Sequence, residues 1–225
     1  MKTASQHAFA GSPVLGRVVS ISDEESLGRV QVAYPLNAES DDIRTEAWAV
    51  VAVPFAGADY GAYMLPGVDD IVVLNFLGGD PRSPVVLGAV WVGQAAPPDE
   101  PGGAQMDRWL MKGRKGSRMA MIEPESGSPE IVLETPGGNR ITLADDGTRI
   151  TISAGSGASR IEMDAQGVKI TAPKVEIKAP DVKVNSGKVD VKAAFSDFSG
   201  MVKGSVGQFN TVIATTYTTG AGNML

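Results

Sequence analysis

From Ile161 onward the chain falls into five heptads, IEMDAQG, VKITAPK, VEIKAPD, VKVNSGK and VDVKAAF. Position one holds Ile161, Val168, Val175, Val182 and Val189, and position three holds Met163, Ile170, Ile177, Val184 and Val191. Position five is small in every repeat: Ala165, Ala172, Ala179, Ser186 and Ala193. Apolar residues at i and i+2 lie on opposite sides of a helix but on one face of a strand. Pro173 and Pro180 recur at one phase and Gly187 follows at the same phase, which excludes a continuous helix at roughly 3 kcal/mol per interior proline. Each heptad is therefore expected to be a three-residue strand and a sharp corner. Looser versions precede it at Ile131-Val132-Leu133, Ile141-Thr142-Leu143 and Ile150-Thr151-Ile152, with corners such as Pro136-Gly137-Gly138-Asn139 and Asp145-Asp146-Gly147.

A strand of three residues has one apolar face and cannot cover it alone. Two architectures supply the cover: three identical chains wound into a triangular prism, or one chain coiled as a solenoid. The heptads by themselves are compatible with both. In either, the ten residues at positions one and three point inward. The mixed Lys, Asp and Glu at positions two and four form a solvated outer face with cross-strand pairs.

Residues 15–93 follow a different grammar. Gly16-Arg17-Val18-Val19-Ser20-Ile21, Arg29-Val30-Gln31-Val32-Ala33-Tyr34, Trp48-Ala49-Val50-Val51-Ala52-Val53, Ile71-Val72-Val73-Leu74-Asn75-Phe76 and Pro84-Val85-Val86-Leu87-Gly88-Ala89-Val90-Trp91 read as five strands. They are separated by the polar run 22–26, by Pro35 and Pro54, by Pro66-Gly67 with the glycine expected at the left-handed turn position, and by Gly78-Gly79-Asp80-Pro81. Five strands with no helical period predict a small closed barrel. The 27 glycines, 14 prolines and 6% aromatic content fit short strands joined by tight turns. Residues 94–106, rich in Pro, Gly and Ala, have linker composition.

The chain has no cysteine and one histidine, His7, so disulfides, thiolate chemistry, histidine triads and histidine metal sites are not expected. The N-terminus lacks an apolar signal-peptide core, and the longest apolar stretch, Ala47 to Ala56, is too short to span a bilayer. Residues 1–106 carry 13 acidic and 5 basic side chains, whereas residues 107–225 carry 13 and 15. An acidic front half disfavours nucleic acid, so Trp48, Phe55, Tyr60, Tyr63 and Trp91 are read as core or interface aromatics rather than base-stacking groups. Asp69-Asp70 and Asp41-Asp42 are read as turn residues rather than catalytic carboxylate pairs, and Gly78-Gly79 as a hairpin turn rather than a phosphate loop. Lys112, Arg114, Lys115 and Arg118 are read as a solvated collar.

Leu27-Gly28-Arg29-Val30-Gln31-Val32, Trp48-Ala49-Val50-Val51, Leu65-Pro66-Gly67-Val68-Asp69-Asp70, Phe76-Leu77-Gly78-Gly79-Asp80-Pro81 and Pro84-Val85-Val86-Leu87-Gly88 resemble, in order and spacing, the OB-fold of phage baseplate assembly protein V. The same domain occurs in the valine-glycine repeat protein G of type VI secretion. The resemblance implies an OB-fold followed by an intertwined triple-stranded β-helix in a homotrimer. The expected architecture is all-β: an N-terminal arm 1–14, the OB-fold 15–93, a linker 94–106, a β-helix needle 107–200 and an apex 201–225.

The implied function is a membrane-piercing spike of a contractile injection system, in a phage tail or phage-tail-like particle assembled in the producing cell's cytoplasm. The OB-fold would dock on a baseplate hub protein and the needle would transiently meet the target-cell envelope. No catalysis, cofactor, metal or nucleic acid is implied. Fourteen residues before the OB-fold leave no room for a hub region, the 94–106 linker holds no lysozyme domain, and no His-x-His iron apex is present. The final stretch, with Thr218, Gly220, Asn223, Met224 and Leu225, is expected to form a platform for a PAAR-type tip protein. The alternatives are a type VI or extracellular injection-system spike carrying a toxin, and a monomeric β-solenoid binding module.

Overall fold

The computed structural model describes residues 12–35, 44–208, 210, 211 and 213. It divides into two units, residues 1–174 and 175–225. Among the described residues every regular element is a strand, apart from one 3-10 turn.

In the first unit, β1 (Val14–Ser20) turns Gly16 and Val18 inward and Leu15 and Arg17 outward, the period-two alternation of a strand with one buried face. It pairs antiparallel with β2 (Val30–Pro35), which pairs antiparallel with β3 (Arg44–Val51). A minimal hairpin, β4 (Ala56–Gly57) and β5 (Tyr60–Gly61), leads to β6 (Ile71–Phe76). A 3-10 turn at Leu77–Gly79 returns the chain as β7 (Pro84–Ala89). The order β1-β2-β3-β7-β6 closes on itself through β6–β1, and β3 runs parallel to β7. Closure leaves no open edge on this sheet. Val18, Val30, Val32, Tyr34, Ala49, Val72, Leu74, Phe76 and Val86 fill the interior. Tyr34 packs on Phe76 with ring centroids 5.4 Å apart, and its hydroxyl donates to the Pro81 carbonyl.

Two loops hold more structure than their composition suggests. In the β1–β2 loop the buried Asp23 carboxylate accepts the amides of Glu25 and Leu27 and two hydrogen bonds from the Arg29 guanidinium, at 2.7 and 3.1 Å. Arg29 in turn lies 5.6 Å from the centre of the Trp48 ring. In the loop after Pro66 the left-handed residue is Asp69, at φ 72°, and not Gly67. Gly67 instead leaves room for a neighbouring side chain, which would have to shift if a Cβ were present. A Cβ there would lie 2.4 Å from the Arg114 guanidinium, which donates to Asp70 at 2.7 Å and to the Val68 carbonyl at 3.0 Å. Arg114 is therefore a solvated residue, 67% exposed, that also ties the sheet to the barrel. Of the aromatics expected in a core or an interface, Phe55, Tyr60, Tyr63 and Trp91 are exposed in a single chain and none is core.

Seven strands follow: β8 (Arg108–Lys112), β9 (Arg118–Ile122), β10 (Glu130–Glu134), β11 (Arg140–Ala144), β12 (Arg149–Ala154), β13 (Ser159–Asp164) and β14 (Gly167–Thr171). They form one sheet in chain order, each strand antiparallel to the next. The corners expected between Ile131 and Ile170 are thus hairpin turns. The first two heptads make a hairpin within one chain, with Ile161 opposite Ile170 and Met163 opposite Val168. Short loops that reverse the chain make pairing with the next strand the cheapest closure.

The 94–106 segment is stitched to the start of this sheet. Asp107 is only 4% exposed. Its carboxylate accepts the Gly102 amide at 3.0 Å and the Arg108 guanidinium at 2.9 Å twice, and Arg108 also reaches Asp99 at 3.3 Å. The Arg108 hydrogen bonds, followed by that from Gly102, hold the Asp107 carboxyl well below the ordinary carboxylate range.

The second unit is of a different kind. Among its described residues none belongs to a strand. Lys178 pairs with Glu176 at 2.8 Å and Lys183 with Asp181 at 3.6 Å, while Lys188 and Lys192 reach Asp190 at 3.7 and 4.0 Å. These partners are two residues apart, on one side of an extended chain, and such exposed pairs are worth about 0–1 kcal/mol each.

Because the folded-state pKa of Asp107 is depressed, its contribution to stability is complete above the unfolded carboxylate range and lost as pH falls through the lower folded value. Asp107→Asn should therefore melt below the wild type above about pH 5, and the gap should close as pH approaches about 2. Thermal melts across that range read this directly, and a gap that widens on acidification would contradict it.

Candidate trimerisation face

The hairpin registers place two unbroken columns of large apolar side chains across the seven-stranded sheet. One runs Trp109, Met121, Ile131, Leu143, Ile150, Met163, Val168. The other runs Met111, Met119, Leu133, Ile141, Ile152, Ile161, Ile170. Within each strand the two residues are two apart, so both columns share one face. Twelve of the fourteen are 36–66% exposed, and Ile161 and Met163 are half-buried.

The opposite face is polar and its charges are largely paired, although the buried Arg118 Nε lacks a hydrogen-bond partner. Its centre runs Leu110, Ala120, Val132, Thr142, Thr151, Glu162, Lys169, and Ala120 and Val132 are fully buried. Around Val132, Arg118 lies 3.5 Å from Glu134, and Arg140 reaches Glu130 at 3.6 Å and Glu134 at 3.5 Å. Arg140 also donates to the Thr142 hydroxyl at 3.0 Å. Arg160 donates to Glu162 at 2.9 Å and holds its carboxyl below the usual range. On the polar face Ala120 and Val132 are buried, whereas on the apolar face twelve of the fourteen side chains stand exposed among the described residues. Fourteen such residues expose on the order of 1,000 Å², beyond the several hundred that a monomer ordinarily shows in one patch.

Of the ten residues expected to line an assembly core, Ile161, Met163, Val168 and Ile170 stand together at the end of these columns. Val175, Ile177, Val182, Val184, Val189 and Val191 lie in the second unit, 58–72% exposed. Thr218, Gly220, Asn223, Met224 and Leu225 fall outside the described residues, as do His7 and Asp41-Asp42. Sequence reasoning did not pick out Trp109, Met111, Met119 and Met121. The signal was the same alternation, in Trp109-Leu110-Met111 and Met119-Ala120-Met121, hidden by the absence of β-branched residues and of a seven-residue period.

Asp69 and Asp70 are drawn to different arginines, Arg17 at 3.8 Å and Arg114 at 2.7 Å. Among the described residues, no group of three or more acidic or histidine side chains is placed to hold a metal ion.

Residues 14–91 match the type VI secretion system/phage-baseplate injector OB domain, and residues 130–190 match the phage baseplate V C-terminal trimerisation domain. The chain thus carries, over these two stretches, an OB domain and a trimerisation domain of the phage baseplate V kind. The barrel is the family's OB domain, and strands β10 to β14 together with the heptads through Val189 make up its trimerisation domain. Over 130 residues the chain is 30% identical to the type VI secretion system spike protein VgrG3 of Vibrio cholerae, a match covering 54% of this chain and 13% of that protein. Over 92 residues it is 34% identical to the spike protein VgrG2a of Pseudomonas aeruginosa, covering 38% and 11%. It is also 30% identical over 91 residues to the actin cross-linking toxin VgrG1 of V. cholerae, covering 38% of this chain and 8% of the toxin. The matches thus span 8–13% of these relatives' own lengths.

The two faces of the sheet predict opposite outcomes for one kind of substitution. Val132→Asp buries an unpaired carboxylate within the chain's own fold and should cost several kcal/mol, unfolding the sheet. Ile141→Asp, on the bare face, should leave the chain's circular dichroism intact and change its native mass instead. Equal effects of the two on secondary structure would contradict the division into a finished and an unfinished face.

Proposed function

We propose that this chain is the central spike of a contractile injection apparatus, acting mechanically and as a homotrimer. One observation carries the reading: a family OB domain is followed by a trimerisation domain whose apolar face stands exposed among the described residues. In this reading the barrel, parcelled as 15–93 after an arm at 1–14, seats three copies on a baseplate hub. The 94–106 connection leads into a needle over 107–200, whose first two heptads pair as a hairpin within the chain and whose later heptads, from Val175, wind as an intertwined triple-stranded β-helix. Its core is formed by Ile161, Met163, Val168, Ile170, Val175, Ile177, Val182, Val184, Val189 and Val191. The apex, 201–225, offers Thr218, Gly220, Asn223, Met224 and Leu225 to a PAAR-type tip protein. Penetration draws its work from contraction elsewhere, and the chain itself performs no catalysis. Its place is the baseplate of a virion or phage-tail-like particle.

A second reading has its own support, since the relatives named above are type VI spike proteins and one bears the name of an actin cross-linking toxin. A spike that carries a toxin cargo would use the same barrel and the same trimer. Mass spectrometry of purified particles separates the two by the presence of a bound effector. A monomeric solenoid is disfavoured, because the sheet's single layer would expose its apolar face to water.

The test is complementation of particles that lack this chain. Wild-type protein should restore a central density below the hub and permeabilisation of target cells. Val182→Asp, which introduces three carboxylates near the proposed axis, should restore neither. A chain deleted for Thr218 to Leu225 should keep the trimer and lose its tip protein in a pull-down. Full activity of Val182→Asp particles would overturn the spike reading.

A further inference from the structure

From residue 174 to 192 the apolar side chains read alike in every repeat: Val175 and Ile177, Val182 and Val184, Val189 and Val191. The side chains between them do not. They fall into three rows: Lys174, Glu176 and Lys178; Asp181, Lys183 and Asn185; Lys188, Asp190 and Lys192. Eight of the nine are charged, and no two like charges are neighbours along a row or from one row to the next. Along the rows the alternation is already used, in the ion pairs of Glu176 with Lys178, Asp181 with Lys183, and Asp190 with both Lys188 and Lys192. Those pairs do not require the second alternation, between residues seven apart.

One step of that second kind is built upstream. In the β13–β14 hairpin, Glu162 at position two of the first heptad lies directly opposite Lys169 at position two of the second. Arg160 first, and Lys169 and Arg149 after it, hold the Glu162 carboxyl below its usual range. Position two then runs Glu162, Lys169, Glu176, Lys183, Asp190, changing sign at every heptad.

We infer that these outer charges select which rows of neighbouring copies lie side by side: each row beside the next heptad of its neighbour, and not beside its own counterpart. The inference rests on the trimeric reading above and adds to it what sets the offset between copies. Strands in contact lie about 4.8 Å apart. Opposite charges on facing positions stabilise such a pair, whereas like charges destabilise it. With an offset of one heptad, Lys174 meets Asp181, Glu176 meets Lys183, Asp181 meets Lys188 and Lys183 meets Asp190. With copies flush, every one of these side chains meets its own kind. The apolar face cannot make the choice, because it presents Val or Ile at each row. Segments of alternating β-branched residues with little charge stack flush readily, so the outer face also turns free chains away from that course.

Asp181→Lys combined with Lys183→Glu tests this. The double variant keeps the net charge and a pair of opposite signs within its row, and changes only the relation of that row to those on either side. Full-length wild type and variant are compared by light scattering during heating, in about 20 mM and about 1 M salt. At low salt the variant trimer should dissociate about 5 °C or more below the wild type, or fail to form. At about 1 M, where charges are screened within about 3 Å, the gap should close. A variant trimer with an unmoved dissociation temperature at low salt overturns the inference and leaves the trimer standing. A gap that persists in full at high salt does the same, because its cause is then not charge. A single-chain mass for the wild type overturns both.

Discussion

Every hairpin from β8 to β14 sets apolar against apolar directly across the strands, and side chains alternate with a period of two. A slip of one residue in any hairpin would carry that strand's two apolar side chains to the polar face. The fourteen-residue face therefore depends on six consecutive registers being right. The ion pairs of Arg118, Glu130, Glu134 and Arg140 over Val132 favour those registers from the other side. They are weak one by one, but they are correctly placed only when Glu134 lies opposite both Arg118 and Arg140. One face is completed inside the chain and the other is left for a neighbour, so folding and assembly are divided between the two sides of a single layer.

The barrel and the sheet are joined at two points of different character. Asp107 gathers Gly102 and Arg108 around one buried carboxylate, which turns a Pro- and Gly-rich segment into a strut. Arg114 crosses back from the first turn of the sheet to Asp70, and Gly67 keeps clear the space that it occupies.

Much of this was legible in the sequence, for identifiable reasons. The barrel strands announced themselves because Pro35, Pro54 and Gly78-Gly79 end apolar runs of the right length, and Ile71–Phe76 was read to the residue. The β4–β5 hairpin was missed, since two-residue strands carry no period. Alternation at Ile161, Met163, Val168 and Ile170 fixed the shared face but not the partner: period two states which side chains lie together, not whether the opposing strand belongs to the same chain. The hydrogen bonds of Arg114 and of the 94–106 segment were not legible, for another reason. Their structure comes from pairs whose members lie 5 to 44 residues apart, and composition does not register such pairs. Gly67 looked like a turn glycine because Pro-Gly usually is one. The fold used Asp69 for the left-handed residue and spent the missing side chain on Arg114.

The break after Lys174 also sets an order of events. Synthesis delivers the front of the chain first, and each strand of its seven-stranded sheet finds a partner one turn away. Hairpins of that kind close in about 1–10 μs, while an encounter of three chains waits on concentration. Aligned apolar columns thus exist before copies meet. The segment from Val175 to Val191 has no such internal guide, and its steps at 175, 182 and 189 read nearly alike. Three such tails meeting on their own could lock one repeat out of phase and lose little at each step. A sheet whose rows are already counted removes that error, so repetition in the tail is tolerable because its phase is fixed upstream.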